Sequence, residues 1–456
     1  MTLDMHKFGR ALLIALALFN AHPIQAKPVT LGFEDMKKAT FLLLRQGDPG
    51  KALNFANALL QDAPDDSTVL ALKSRALRDL GRNREAVQIA RLSWHNAKTQ
   101  PESYGAAMSV AQALASSGNK FTAQFWLRRA AEHAPNPVAR QIAVADFNYV
   151  RGRSKLALQF DASLQPSSNV NNGSSSAILN FLGLPFVLSG DAQALSGLEA
   201  SVGMTARYTL TESSAAKTAL RFAVTQKLVQ LSADARAQAP TARNGDYAYG
   251  GIDVGLDHNR KLATIGAGTS VSLSFGKNWS GGDPLSNYVR LDLGLNKAFT
   301  PAWLGSVKLG VERQERLDFV NRSASIGTLG FGLRHALGNG DQITLAVTGQ
   351  NVQSSSGNID HQGLSASLDY ARGKPVLGTK LSAGLSVETA DYAVSPYSIK
   401  GREDLTLGAS ISMAFEKIDY MGFIPVMSIQ ASHTESNIEL YQTNSLGIGL
   451  SIQSKF

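Results

Sequence analysis

The last twelve residues constrain the chain most. They run Ser445-Leu-Gly-Ile-Gly-Leu-Ser-Ile-Gln-Ser-Lys-Phe456, with Leu446, Ile448, Leu450 and Ile452 alternating with Gly447, Gly449, Ser451 and Gln453. Period-two alternation gives a strand one apolar face and one small or polar face. In water such a strand closes a sandwich. Ending on an aromatic residue and repeated many times upstream, it predicts the final strand of an outer-membrane β-barrel, with Phe456 as its assembly signal.

Thirteen further alternating segments precede it, near 155–165, 198–209, 217–232, 246–257, 263–277, 286–298, 302–314, 322–336, 342–354, 361–372, 377–391, 403–417 and 424–436, with the last at 443–456. Most match or exceed the roughly 9–11 residues that a tilted membrane strand needs. Val289, Leu291, Leu293 and Leu295 oppose Tyr288, Arg290, Asp292 and Asn296. An even count fits a single-chain bacterial barrel. Connections at Thr300-Pro301, Gly338–Asp341 and Gly373–Pro375 are tight, whereas Gln165–Ser196, Ala233–Gly245 and Tyr392–Arg402 are longer. Short turns on the periplasmic side and longer external loops are the barrel habit. The charges placed on the inner face are mixed in sign: Arg290, Asp292, Lys308, Glu312, Arg334, Asp369, Glu388 and Glu416.

Upstream the composition changes. Lys7 and Arg10 precede the apolar Ala11–Phe19, and Ala21–Ala26 offers a small residue for cleavage, so residues 1–26 are expected to be a signal peptide. The chain has no cysteine, which excludes a disulfide framework. No other segment approaches the roughly 20 apolar residues of a membrane helix, which leaves a closed barrel as the way to span a bilayer.

Residues 27–153 are rich in Ala, Leu, Arg and Lys. They carry 18 Lys+Arg against 11 Asp+Glu, a net of +7, whereas residues 154–456 carry 24 against 24, a net of zero. Three units align: Gly47, Ala52 and Pro64; Gly81 and Ala86, with Lys98 where a Pro would stand; Gly118, Ala123 and Pro135. The first two glycines are 34 positions apart and the next two 37. Gly ends one helix, Ala lets paired helices approach, and Pro stops the second helix. The pattern resembles the tetratricopeptide repeat, whose period is about 34 residues. The expected fold is therefore a two-domain α + β chain: a periplasmic helical solenoid at 27–153, then a 14-stranded antiparallel transmembrane barrel at 154–456. A solenoid presents a binding face. The basic run Arg75, Arg78, Arg82, Arg84 and Arg91 reads as a solvated face, and an exported chain is not expected to bind nucleic acid.

Chemistry is not prominent. There is no HExxH helix, phosphate-binding loop or clustered metal-ligand spacing. The eight histidines are scattered; His335 or His361 beside a serine is the nearest approach to a hydrolase pair, and an ordinary polar role is expected for both. No enzyme activity, cofactor or metal is expected.

Two stretches carry a family resemblance. Phe160-Asp-Ala-Ser-Leu-Gln-Pro-Ser-Ser-Asn-Val-Asn-Asn172 leads to Gly183-Leu-Pro-Phe-Val-Leu-Ser-Gly-Asp191. Gly422-Phe-Ile-Pro-Val426 leads to Ser436-Asn-Ile-Glu-Leu-Tyr441 and to Phe456. Together with the domain order, these resemble the surface lipoprotein assembly modifier (Slam) family. The resemblance implies transport of surface lipoproteins, or of secreted haem-binding proteins, across the outer membrane. Its implied partners are that substrate lipoprotein or haemophore, the outer-membrane lipids and the barrel assembly machinery. Its motif residues would be Asn169, Asn171, Asn172, Ser436, Asn437 and Tyr441; the expected role of the asparagines is loop shaping. An exopolysaccharide export barrel and a passive porin are the alternatives, since fold alone does not choose among them.

Overall fold

The computed structural model describes residues 31–456, so the expected signal peptide at 1–26 lies outside the described residues. Seven helices come first among these: α1 (Phe33–Gln46), α2 (Pro49–Asp62), α3 (Ser67–Asp79), α4 (Asn83–Asn96), α5 (Gln100–Ser116), α6 (Lys120–Glu132) and α7 (Pro137–Gly152). Local chemistry sets their ends. Gly47, Gly81 and Gly118 adopt φ of 80°, 78° and 89°, the left-handed conformation that turns the first helix of each pair into the second. Asp48, Asp66, Asn119 and Asn136 cap the helices that follow them with their side chains. Thr99 and Glu102 form a capping box on α5. Ala52, Ala86 and Ala123 are fully buried. They let paired helices approach, as their spacing predicts. Pro64 and Pro135 fall just beyond α2 and α6.

Fourteen strands form one closed antiparallel barrel: β1 (Leu156–Ser167), β4 (Gly197–Glu212), β5 (Ala216–Leu231), β6 (Tyr249–Leu262), β7 (Ala267–Ser280), β8 (Asp283–Ala298), β9 (Trp303–Arg316), β10 (Ala324–Ala336), β11 (Gln342–Ser354), β12 (His361–Ala371), β13 (Thr379–Tyr392), β14 (Arg402–Phe415), β15 (Phe423–Ser436) and β16 (Thr443–Ser454). β16 closes on β1. A hairpin of β2 (Ile178–Phe181) and β3 (Leu184–Val187) stands in the long β1–β4 connection, and a short helix α8 (Ala233–Gln238) in the β5–β6 connection. Neither was expected from the sequence. Two strands also sit later than expected: β6 begins at Tyr249 rather than 246, and β7 at Ala267 because 263–266 turn.

The alternation sorts the barrel's faces. Leu446, Ile448, Leu450 and Ile452 are 53, 49, 53 and 56% exposed, and Val289, Leu291, Leu293 and Leu295 stand out in the same way. Such an apolar exterior around a closed barrel is the outer-membrane type, built to face lipid. Polar and small residues take the inner face.

The compact units divide after Lys98, inside the helical segment. One unit holds α1–α4. In it Leu44, Ala52, Leu72 and Ala76 form one core cluster, and Ala56, Leu59 and Val69 another. The second unit starts at Thr99 and contains α5–α7 together with the barrel. The boundary read at 153/154 marks the change from helix to strand.

Candidate functional site

The inner wall has two characters. On β4 to β9 it is charged and internally satisfied. Arg221 pairs with Asp253 and lies 3.4 Å from Asp257, which also faces Arg207 at 3.6 Å. Ser272 donates to Asp257 at 2.7 Å and the Tyr288 hydroxyl to Asp253 at 2.9 Å. The Tyr288 ring lies over Gly276, where a Cβ would collide with it, so a glycine there lets the phenol reach Asp253. Arg290 and Glu312, both placed on this face by alternation, pair across β8 and β9, and Glu312 is 7% exposed. Each of these six charges has an opposite neighbour, so this arc has no single sign.

From β12 round to β1 small and uncharged residues dominate the inner wall, with Asp369 of β12 and Glu388 and Lys380 of β13 as charges among them. A 470 Å³ depression is lined there by Gln165, Ser386, Gly408, Ser410, Gln430 and Gly447 among others, with Asp369 at its border. Gln165 of β1 lies across Gly447 and Gly449 of β16, whose missing side chains make room for it. Arg334 and Glu388 lie on inner faces by alternation, and Glu416, just past β14, pairs with Lys380 at 2.8 Å.

The motif residues gather at the barrel end opposite α5–α7. Asn169 is 7% exposed; its amide accepts from Gly173 N–H at 2.8 Å and donates to the carbonyls of Gly173 and Asn444. The Asn171 side chain donates to the Asp191 and Gln193 carbonyls and accepts from Leu195 N–H at 2.9 Å. Asn172 adopts φ 53°, which Asn tolerates. Ser436 Oγ accepts from Ile438 N–H, and Asn437 binds the Glu403 N–H and the Gly401 carbonyl. The Arg402 guanidinium lies 3.8 Å from the Tyr441 ring centre and 3.6 Å from that of Tyr392. Ser174 then donates to the Glu439 carbonyl at 2.6 Å, Ser175 N–H to Gln442, and Asn180 to the Glu439 carboxylate. The two motif stretches, far apart in sequence, thus latch to each other beside the junction of β1 and β16. Their side chains hold loops.

At the helical end the chain holds its own last residue. The Arg128 guanidinium of α6 donates to the Met421 carbonyl at 3.0 Å, to Ser454 Oγ at 2.8 Å and to a Phe456 main-chain oxygen at 2.7 Å. It stacks against Phe147, Phe423 and Phe456 with its carbon 4.6, 4.4 and 4.9 Å from their ring centres. Burial, with Arg151 nearby, pushes its pKa down to about 10, so it stays charged at neutral pH. Met421 N–H donates to Glu132 at 2.8 Å, and Arg140 of α7 pairs with Asp419 at 2.5 Å. Phe456 packs edge-on to Phe147, and a Cβ on Gly422 would strike its ring. The Phe456 ring thus packs against α6 and α7. Nothing local in the sequence signals Arg128, because its hydrogen-bond acceptors lie about 300 positions away.

His335 stacks on Trp303 and His361 on Tyr392.

No protein-family model and no curated protein matches the chain. Among solved structures, outer-membrane channels align with part of the chain. DcaP of Acinetobacter baumannii is 11% identical with a TM-score of 0.36, over 65% of this chain and 96% of that one. A BenF-like porin from Pseudomonas fluorescens Pf-5 is 9% identical with a TM-score of 0.34, over 65% and 98%. A bacterial polysaccharide outer membrane secretin is 6% identical with a TM-score of 0.33, over 64% and 98%. At these values the likeness is to the barrel and carries nothing about what passes through it.

Proposed function

We propose that this chain is an outer-membrane translocator that moves a protein substrate, a surface lipoprotein or a secreted haem-binding protein, from the periplasm to the cell surface. The observation that supports this reading most is the clasp between α6–α7 and the end of β16. It holds α6 and α7 at the barrel end that bears the short turns, the end that faces the periplasm in outer-membrane barrels generally, so these helices would stand in the periplasm. A solute channel has no need of a binding module there. The Gly/Ser-rich arc suits an extended chain of varied sequence, because its small side chains leave room along the wall. The helices would receive the substrate, the barrel would pass it, and the assembly machinery and outer-membrane lipids would be the other partners.

The test is co-expression with a surface lipoprotein and, separately, with a secreted haem-binding protein, scored by protease shaving of intact cells. Display that depends on this chain, and falls sharply when residues 27–98 are deleted from a barrel that still folds, is the expected result. Loss of a secreted polymer would instead point to polysaccharide export. Uptake of small solutes with no displayed protein would point to a porin.

A further inference from the structure

The barrel closes unevenly. β1 pairs with β16 at Ser163↔Ser451, Leu164↔Leu450 and Ser167↔Gly447. Just beyond, Ser168 N–H donates to the Leu446 carbonyl at 3.0 Å, and Leu446 N–H to Ser168 Oγ at 2.9 Å. Before Ser163 no residue of β1 has a paired partner in β16. Every other strand junction runs for at least ten paired residues. The opposite edge of β1 is fully paired over the same stretch, from Leu156↔Tyr208 to Ala162↔Val202.

A strand paired along one edge presents a row of N–H and C=O groups on the other. Hydrocarbon offers those groups no partner. β16 does not supply one, because its end turns elsewhere: Lys455 N–H donates to Gly422 at 2.7 Å and Phe456 is held by Arg128. Pro166, which lacks an N–H, thins the zipped half of the junction as well.

We propose that the edge of β1 from Leu156 to Ala162 is a strand-addition site for an extended segment of the transported polypeptide, an inference that rests on the translocator reading. Main-chain hydrogen bonds would give affinity with little regard to sequence, and alternation would set the preference. Leu156, Leu158 and Phe160 share the outer face, with Phe160 62% exposed, while Gln159 and Asp161 are joined on the inner face by a 3.2 Å hydrogen bond. The fitting segment alternates apolar and polar residues and keeps its backbone N–H groups. On its inner side it would adjoin the small-residue arc that begins at Gln165.

The chain has no cysteine, so an introduced thiol is unique. Phe160→Cys is compared with Leu385→Cys on β13, a residue 63% exposed on a strand paired along both edges. The probe is an alternating Thr–Val decapeptide with an activated terminal cysteine, offered to the full-length protein in detergent micelles. Mixed disulfide should form about tenfold faster at Phe160→Cys, and the advantage should vanish when alternate peptide residues are Pro. Equal rates at the two positions, or an advantage that survives proline, would overturn the proposal. If Phe160→Cys does not fold, judged by heat-modifiable mobility, Gln159→Cys on the other face repeats the measurement with the same criteria. This readout needs no natural substrate. Absence of display in cells would fail the translocator reading while leaving the peptide result to judge the edge.

Discussion

At the residue scale, Arg128 joins three backbone or hydroxyl acceptors and three rings from elements distant in sequence. Charged hydrogen bonds and ring stacking of this kind are together worth about 2–4 kcal/mol. Arg128→Ala should therefore loosen α5–α7 from the barrel end while leaving the barrel closed. Limited proteolysis would detect this as new cleavage near Arg153–Lys155, with heat-modifiable mobility unchanged. A second residue-scale prediction concerns Glu439. Its pKa is lowered from 4.5, first by the hydrogen bond from Asn180. A carboxylate with a depressed folded pKa stabilises its contact above its unfolded value and loses that contribution as pH falls through the folded one. Acidification from pH 7 to below the ordinary carboxylate range should release the hairpin at 178–187, read as faster protease cleavage there. Glu439→Gln should remove most of that pH dependence.

At the element scale, the division after Lys98 matters more than the change from helix to strand. Deleting residues 27–98 removes α1–α4 and leaves the capping box at Thr99 and Glu102 to start α5. The shortened chain should fold to a heat-modifiable barrel. A deletion to residue 150 removes Arg128, Arg140 and Phe147 as well, taking from Phe456 and Asp419 their partners on the helices. That chain should assemble less well, and the yield of heat-modifiable barrel in the outer membrane would measure the difference. Phe456→Asp should act in the same direction, since it removes the ring that packs on Phe147 and Arg128 in the clasp.

At the scale of the whole molecule, the β1–β16 junction is the weak line of a wall otherwise paired throughout. Ser163→Cys with Ser451→Cys places two thiols across it, and Ser382→Cys with Ser412→Cys places two across the fully paired β13–β14 junction. Directly opposed antiparallel positions lie within the Cα separation a disulfide can span. If the wall opens at this line during transport, oxidation of the first pair should lower surface display by at least about tenfold. Oxidation of the second should leave it near the reduced level. Equal display from both oxidised variants would keep the junction closed during transport.

Local pattern determined the helices, the barrel and the strand count. Period-two alternation, the Gly–Ala–Pro spacing and the Gly- and Pro-bearing turns act over a few residues, so they are legible along one chain. Alternation also placed Arg290, Asp292, Lys308 and Glu312 on the inner face opposite Val289, Leu291, Leu309 and Val311. It did not reveal that Arg221 would join Asp253 and Asp257, because which inner residues meet depends on strand register. The asparagine and tyrosine motifs were visible as patterns, but their meeting at the Glu439 latch followed only from closure of β16 on β1. Nor did the sequence announce the Arg128 clasp, the unit boundary at Lys98 or the unpaired edge of β1. Each depends on where the two ends of a closed sheet come to lie, which is a property of the whole barrel and of no single strand.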